Sequence, residues 1–167
     1  MLWTILTVVG AYFVTELLGY VVHVAAHNRW SGPLYRNHLV HHAKLYPTSR
    51  FSSEVYESSL RHSLIPWYAP IFVVTLSAAW IVLPLTQAIA AVVTVALVAL
   101  FNNHIHDAYH IDNHWLNRHR WFRRLRALHY VHHKHVTKNI GIYVFWIDSL
   151  MRRFKRLSPA DLVRFRL

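Results

Sequence analysis

Two runs without a charged residue, Leu64–Leu83 and Leu85–Phe101, are separated by Pro84 alone. At 20 and 17 residues, they are close to the roughly 20 residues that a helix needs to cross a bilayer. A one-residue linker leaves room only for a tight hairpin. Their Val and Ile content would suit strands in water. In hydrocarbon each span must satisfy its own backbone N–H and C=O groups, which favours helix. Pro66 and Pro70 lie near the start of the first run, where proline is best tolerated.

Leu2–Val22 is a third apolar run, interrupted only by Glu16. A cleaved signal peptide needs a basic segment ahead of its apolar stretch. No Lys or Arg precedes Arg29, so the run reads as a retained span. Glu16 lies seven residues before His23 and shares its helical face. It is read either as a group supporting that histidine or as a buried, protonated carboxyl. The helix is expected to run on through His27 and to break at Trp30-Ser-Gly-Pro33. Residues 48–62 read as a connecting segment, and residues 115–128 as a basic amphipathic helix at the membrane surface. Residues 139–154 read as a further interfacial segment.

The chain is 54% hydrophobic, yet its formal net charge is +11. Those values agree when the charges are segregated along the sequence. Lys and Arg fall in residues 29–61 and 118–166, while the N-terminus and the turn at 83–86 have none. The positive-inside rule places both basic stretches in the cytoplasm. The expected fold is therefore all-α and integral to the membrane. It has about three transmembrane helices plus cytoplasmic interfacial helices carrying the histidine motifs, in a single membrane-embedded domain spanning 1–167. A nucleic-acid partner is excluded because it would leave the apolar runs unexplained.

The absence of cysteine excludes iron–sulfur, thiolate-haem and Cys-type zinc sites. With seven acidic residues and no Glu-x-x-His, the chain cannot form the carboxylate-rich di-iron site of soluble bundles. Any metal site must be built mainly from nitrogen.

Nitrogen is abundant. His23-x-x-x-His27 is followed by His38-x-x-His41-His42, and the same two patterns recur later in the chain. The second occurrence is His110-x-x-x-His114 and His129-x-x-His132-His133. Residues at i, i+3 and i+4 share a helical face with Cβ atoms about 6 Å apart, so their imidazoles can converge. A lone pair of this kind is usually a surface feature, but two matching half-sets of five have no packing explanation. Ten ligands exceed one ion's needs and suit two nitrogen-rich ions. Imidazole suits iron, zinc, copper and nickel alike, so the residues alone do not select the element.

The histidine set resembles that of the fatty acid hydroxylase/sterol desaturase superfamily of membrane di-iron oxygenases. Asn139-Ile-Gly141 and Trp146-Ile-Asp148-Ser-Leu are similar to that family's Asn-aromatic-Gly and Trp-Asp segments. The fifteen-residue step from His114 to His129 resembles the fatty acid 2-hydroxylase branch, which favours His110 with His114 as the third pair. His106 with His110 is the rival pair. His62, His104, His119 and His135 are assigned to the surface or to an outer shell. The chain departs from the family in carrying Arg152-Arg153 where Gly-Thr is usual, and in having few spans before its first histidine pair.

The resemblance implies two iron ions, with zinc able to replace them in purified or crystallised protein. It also implies O2-dependent hydroxylation of a C–H bond in a lipid of fatty acyl, sterol or related type. The expected partners are the membrane, the lipid and an external electron donor of cytochrome b5 or ferredoxin type. His106, Asp107, Asp112 and Asp148 are the candidates for supporting the ligands from outside. A desaturase or carotenoid hydroxylase on the same scaffold is the alternative. A non-enzymatic metal carrier is disfavoured, because a carrier should place ionisable ligands within its spans; here the histidines flank them.

Overall fold

In the computed structural model, residues 1–57 and 65–167 are described. His62 and the end of the connecting segment lie outside them. Among the described residues, all regular structure is helical.

Helix α1 spans Leu2–Ala26 and α4 spans Leu85–Tyr109, each of 25 residues. At 1.5 Å per residue each is about 37 Å long, longer than a hydrocarbon core of about 30 Å. Both are long and apolar enough to cross a membrane, and among the described residues they are the two that are, against the three or so expected. Helix α3, Ile65–Val82, is a shorter apolar helix of 18 residues joined to α4 through Leu83 and Pro84. The expected hairpin is present, and α4 continues past Phe101 into the histidine stretch. The excess length of α1 and α4 carries His23 and His106 at their ends.

The outward faces of α1 and α4 expose apolar stripes, Leu6-Val9-Phe13-Leu17 and Ile89-Val93-Leu97-Leu100. Their facing sides bury small residues of α4, Ala88 and Ala91, as close helix packing in lipid requires. Asn102 Nδ2 on α4 donates to Glu16 Oε1 on α1 at 2.9 Å, so the one carboxyl inside the first span ties two spans together.

Beyond the spans the chain makes a cap. Gly32 adopts φ +57° and Pro33 starts α2, Pro33–Val40. One wide turn of π geometry, His41–Leu45, follows. Helix α5, Arg120–Lys134, starts later than the sequence suggests. A short 3₁₀ turn at Trp115–Arg118 precedes it, and His119 separates the two. Helices α6, Trp146–Leu150, and α7, Pro159–Arg164, are short. A reciprocal Ser158–Asp161 capping box opens α7.

An aromatic core made by Phe51, Tyr109, Phe122, Tyr130 and Phe165 packs under α5. The basic C-terminal tail thus supplies a core ring through Phe165. On the other flank, Trp146 and Tyr143 pack edge-on against Phe13 and Phe101 of the spans, which sets α6 at the membrane side of the cap.

Candidate metal centre

Four pieces of chain deliver histidines to one place. The end of α1 supplies His23 and its C-cap His27. Helix α2 and the π turn supply His38, His41 and His42. The end of α4 supplies His106 and its C-cap His110, and α5 supplies His129, His132 and His133. The ligand atoms of His23, His27, His38, His42 and His132 all lie within 4.8 Å of one another, as do those of His41, His106, His110 and His129. His41, His42 and His133 form a third such set, which joins the first two.

The π turn accounts for how neighbouring histidines part. His38 and His42 stand one α-turn apart, with their Nε2 atoms 3.1 Å apart in the first group. His41 turns to the second group, its ring centroid 4.8 Å from that of His110. The turn closes with Tyr46 N donating to His41 O at 2.9 Å. That leaves the Tyr46 carbonyl to accept from α5.

Ring orientation comes from backbone carbonyls. His110 Nδ1 donates to Phe51 O at 2.7 Å, His132 Nδ1 to Lys138 O at 2.9 Å, and His133 Nδ1 to Tyr46 O at 2.8 Å. A proton on Nδ1 leaves the Nε2 lone pair facing inward. The Nε2 atoms then meet one another. The separations are 3.1 Å for His23–His38, 3.0 Å for His27–His38, 3.0 Å for His27–His132 and 3.2 Å for His110–His129. Buried Nε2 atoms of His41 and His133 have no hydrogen-bond partner.

Lone pairs gathered in this way repel unless a cation lies among them. Two nitrogens at about 2.1 Å from one ion and about 90° apart are themselves about 3.0 Å apart, which matches the observed spacing. The donor set therefore fits metal, and its all-imidazole chemistry suits a transition ion.

Burial, reinforced by neighbouring imidazoles, holds His38, His41, His42, His110, His129 and His132 well below the ordinary histidine range. Burial lowers His27 to about 4 and His133 to about 3. These rings are neutral near pH 7, the form that binds metal.

Nine of the ten sequence-chosen histidines come together: His23, His27, His38, His41, His42, His110, His129, His132 and His133. The tenth, His114, does not join them. Helix α4 ends at Tyr109, because Ser53 N donates to His110 O and Asp112 N to Ser53 O, both at 2.9 Å. The chain turns away there, so His110 and His114 no longer share a helical face. His114 instead caps the 3₁₀ turn, its Nδ1 accepting from Leu116 N at 3.3 Å. His106, still on α4 and one turn before His110, takes its place in the group.

His104 lies 5.5 Å from the His114 ring, His119 precedes α5, and exposed His135 meets Lys155. All three stand outside the groups.

The supporting carboxylates divide. Asp107 Oδ1 is 3.5 Å from His106 Nδ1. Asp112 bonds Ser52 and Arg126 rather than a grouped histidine. Asp148 is fully buried and accepts from Ile140 N and Gly141 N, both at 2.8 Å. It thereby holds the loop that presents the Lys138 carbonyl to His132. Burial raises its pKa, against those two bonds. Asn139, at φ +49°, bonds both N and O of Lys155. A Cβ at Gly141 would stand 2.2 Å from Val144 O. The orienting carbonyls of Tyr46, Phe51 and Lys138 are backbone groups, which residue types do not signal.

The family model for fatty acid hydroxylases matches residues 8–153. The chain belongs to the fatty acid hydroxylase family. No curated protein and no solved structure matches it. Family membership makes this a membrane-associated, metal-dependent chain of the lipid hydroxylase and desaturase type. The buried imidazole groups are where such a metal would sit.

Proposed function

We propose that the protein is a di-iron oxygenase that hydroxylates a C–H bond of a membrane lipid, with its centre on the cytoplasmic side. The observation that carries this reading is the convergence of inward-facing Nε2 lone pairs at cis-ligand spacing in two joined groups. His23, His27, His38, His42 and His132 would hold one ion. His41, His106, His110 and His129 would hold the other, with His133 beside both. The chemistry supplied by two bound iron ions is activation of O2 with two electrons and two protons, giving C–OH and water.

The chain's own residues do the rest. Phe51, Lys138 and Tyr46 carbonyls fix His110, His132 and His133 with Nε2 inward. Buried Tyr46, Phe51 and Tyr109 wall the site against water, which favours reaction over leakage. The spans end at the histidines, so a lipid can reach the site sideways from the bilayer. The basic stretches 29–61 and 118–166 favour the cytoplasmic side.

The test is metal content, together with lipid oxidation that depends on both reductant and O2, in purified protein. About two iron ions per chain and a hydroxylated lipid are expected. Purified protein that holds no metal under any reconstitution, or oxidation unaffected by His132→Ala, would overturn the reading. An unsaturated product in place of an alcohol would make the protein a desaturase.

A further inference from the structure

On the α5–α7 flank of the cap lies a concave pocket of about 740 Å³, into which Arg118, Arg123, Arg126, Arg164 and Arg166 converge. Its acid is Asp112, which pairs with Arg126 at 3.4 Å. Among the described residues, no carboxylate pairs with Arg118, Arg123, Arg164 or Arg166. Arg123 is held in place by its Nη1, which donates to Asn117 O and Arg118 O, and its Nη2, which donates to Arg166 O, while its buried Nε has no partner. Such a surplus of fixed positive charge attracts a negatively charged surface and steers its approach.

The pocket floor is aromatic and adjoins the metal centre. Phe51 and Phe165 line it, with ring centroids 6.3 Å apart. On its far side the Phe51 ring lies 4.8 Å from His110 and 5.2 Å from His133. The Phe51 carbonyl also holds His110 Nδ1. One aromatic ring therefore separates the pocket from two histidines of the centre.

None of the lining residues belongs to α1, α3, α4 or α6. On the opposite flank of the cap, Tyr143 and Trp146, on α6 and its approach, pack against Phe101 and Phe13 of the spans. The arginine pocket is thus set apart from that membrane-side flank, which favours a protein over a lipid headgroup as its occupant.

We propose that this pocket docks the acidic face of a small one-electron carrier protein, with Phe51 the ring between the carrier and the metal centre. The proposal rests on the oxygenase reading above. That reaction balances as R–H + O2 + 2 e⁻ + 2 H⁺ → R–OH + H2O, so a one-electron carrier must dock twice per turnover. Each docking oxidises the carrier by one electron.

The experiment uses the full metal-loaded chain in nanodiscs of neutral phosphatidylcholine, with an acidic soluble cytochrome b5 domain as the probe. Carrier affinity is measured by titration at several salt concentrations, for wild type and for Arg118→Glu/Arg166→Glu. Steep weakening with salt and an affinity at least about tenfold lower in the double variant are expected. Turnover driven by dithionite and a small mediator should stay at the wild-type rate, separating docking from chemistry.

Metal content checks the fold. If the double variant loses metal, Arg118→Glu alone, on an exposed side chain, makes the test. Unchanged carrier affinity after charge reversal overturns the proposal. So does weakened binding to phosphatidylserine vesicles while carrier binding is retained, which would make the pocket a lipid-surface contact. Should no reductant support lipid oxidation, the oxygenase reading fails, and the titration still decides whether the pocket docks the carrier.

Discussion

The Nε2 atoms of His27 and His132 lie 3.0 Å apart although 105 residues separate them in the chain. His27 caps the first span, while His132 belongs to the last long helix. Their contact makes the first histidine group a joint product of both halves of the sequence, so it can be lost from either side.

His106 and His114 are expected to behave oppositely. His106→Ala should lower the metal content and abolish lipid oxidation, because it removes a ring from the second group. His114→Ala should keep full metal content. Losing its cap on the 3₁₀ turn should cost about 1 kcal/mol of stability or less. Metal analysis of the two purified variants checks this. Equal metal loss in both would show that the end of α4 rearranges when metal binds.

Asp148 is expected to act on metal retention through His132. Asp148→Asn removes the charged acceptor for Ile140 N and Gly141 N and frees the loop bearing Lys138 O. Metal affinity should fall about 10–100-fold, the usual range for a group supporting a ligand. Gly141→Ala forces a Cβ against Val144 O and should destabilise the protein by about 1–3 kcal/mol. Metal competition titrations and thermal unfolding measure the two effects.

The metal-free protein should lose stability in acid. His27 and His133 are lowered to about 4 and about 3 in the fold; unfolded histidine titrates near 6.5. Below about pH 6.5 the unfolded chain takes up protons that the folded chain refuses. The stability held by these neutral rings is therefore complete above that pH. It declines as pH falls through the window down to about 4 for His27 and about 3 for His133. Denaturant midpoints between pH 8 and pH 4 check the sign. A midpoint constant across that range would contradict it.

Glu16 is expected to be a structural contact between spans. Glu16→Gln retains an acceptor for Asn102 and should leave stability and oxidation near wild type. Glu16→Leu and Asn102→Leu should each cost about 0.6 kcal/mol, the average for an interhelical hydrogen bond in a membrane. Unfolding in mixed micelles measures this. A large loss of oxidation in the Gln variant, with stability intact, would instead make the carboxyl itself functional.

Much of this protein can be read from residue order. Uncharged runs joined at Pro84 dictate a helical hairpin, because hydrocarbon offers a backbone no other hydrogen-bond partner. His23-x-x-x-His27 and His129-x-x-His132-His133 bring imidazoles to one side of a helix, because helical spacing places i, i+3 and i+4 together; His110-x-x-x-His114 runs past the end of α4 and does not. The pairing of groups follows a different logic. The sequence leaves open which histidines share an ion, whereas the fold sends His41 to the α4 group and His132 to the α1 group. That exchange depends on the π turn at His41–Leu45 and on how α5 lies against α1.

The choice of His106 over His114 was likewise decided at long range. Ser53, distant in sequence, pairs with His110 and Asp112 and stops α4 at Tyr109. The sequence by itself determined the apolar helices and the histidine-rich donor set, since both follow from local periodicity and solvation. Only the tertiary structure decided which rings meet, because helix ends and carbonyl partners are set by backbone contacts between distant segments.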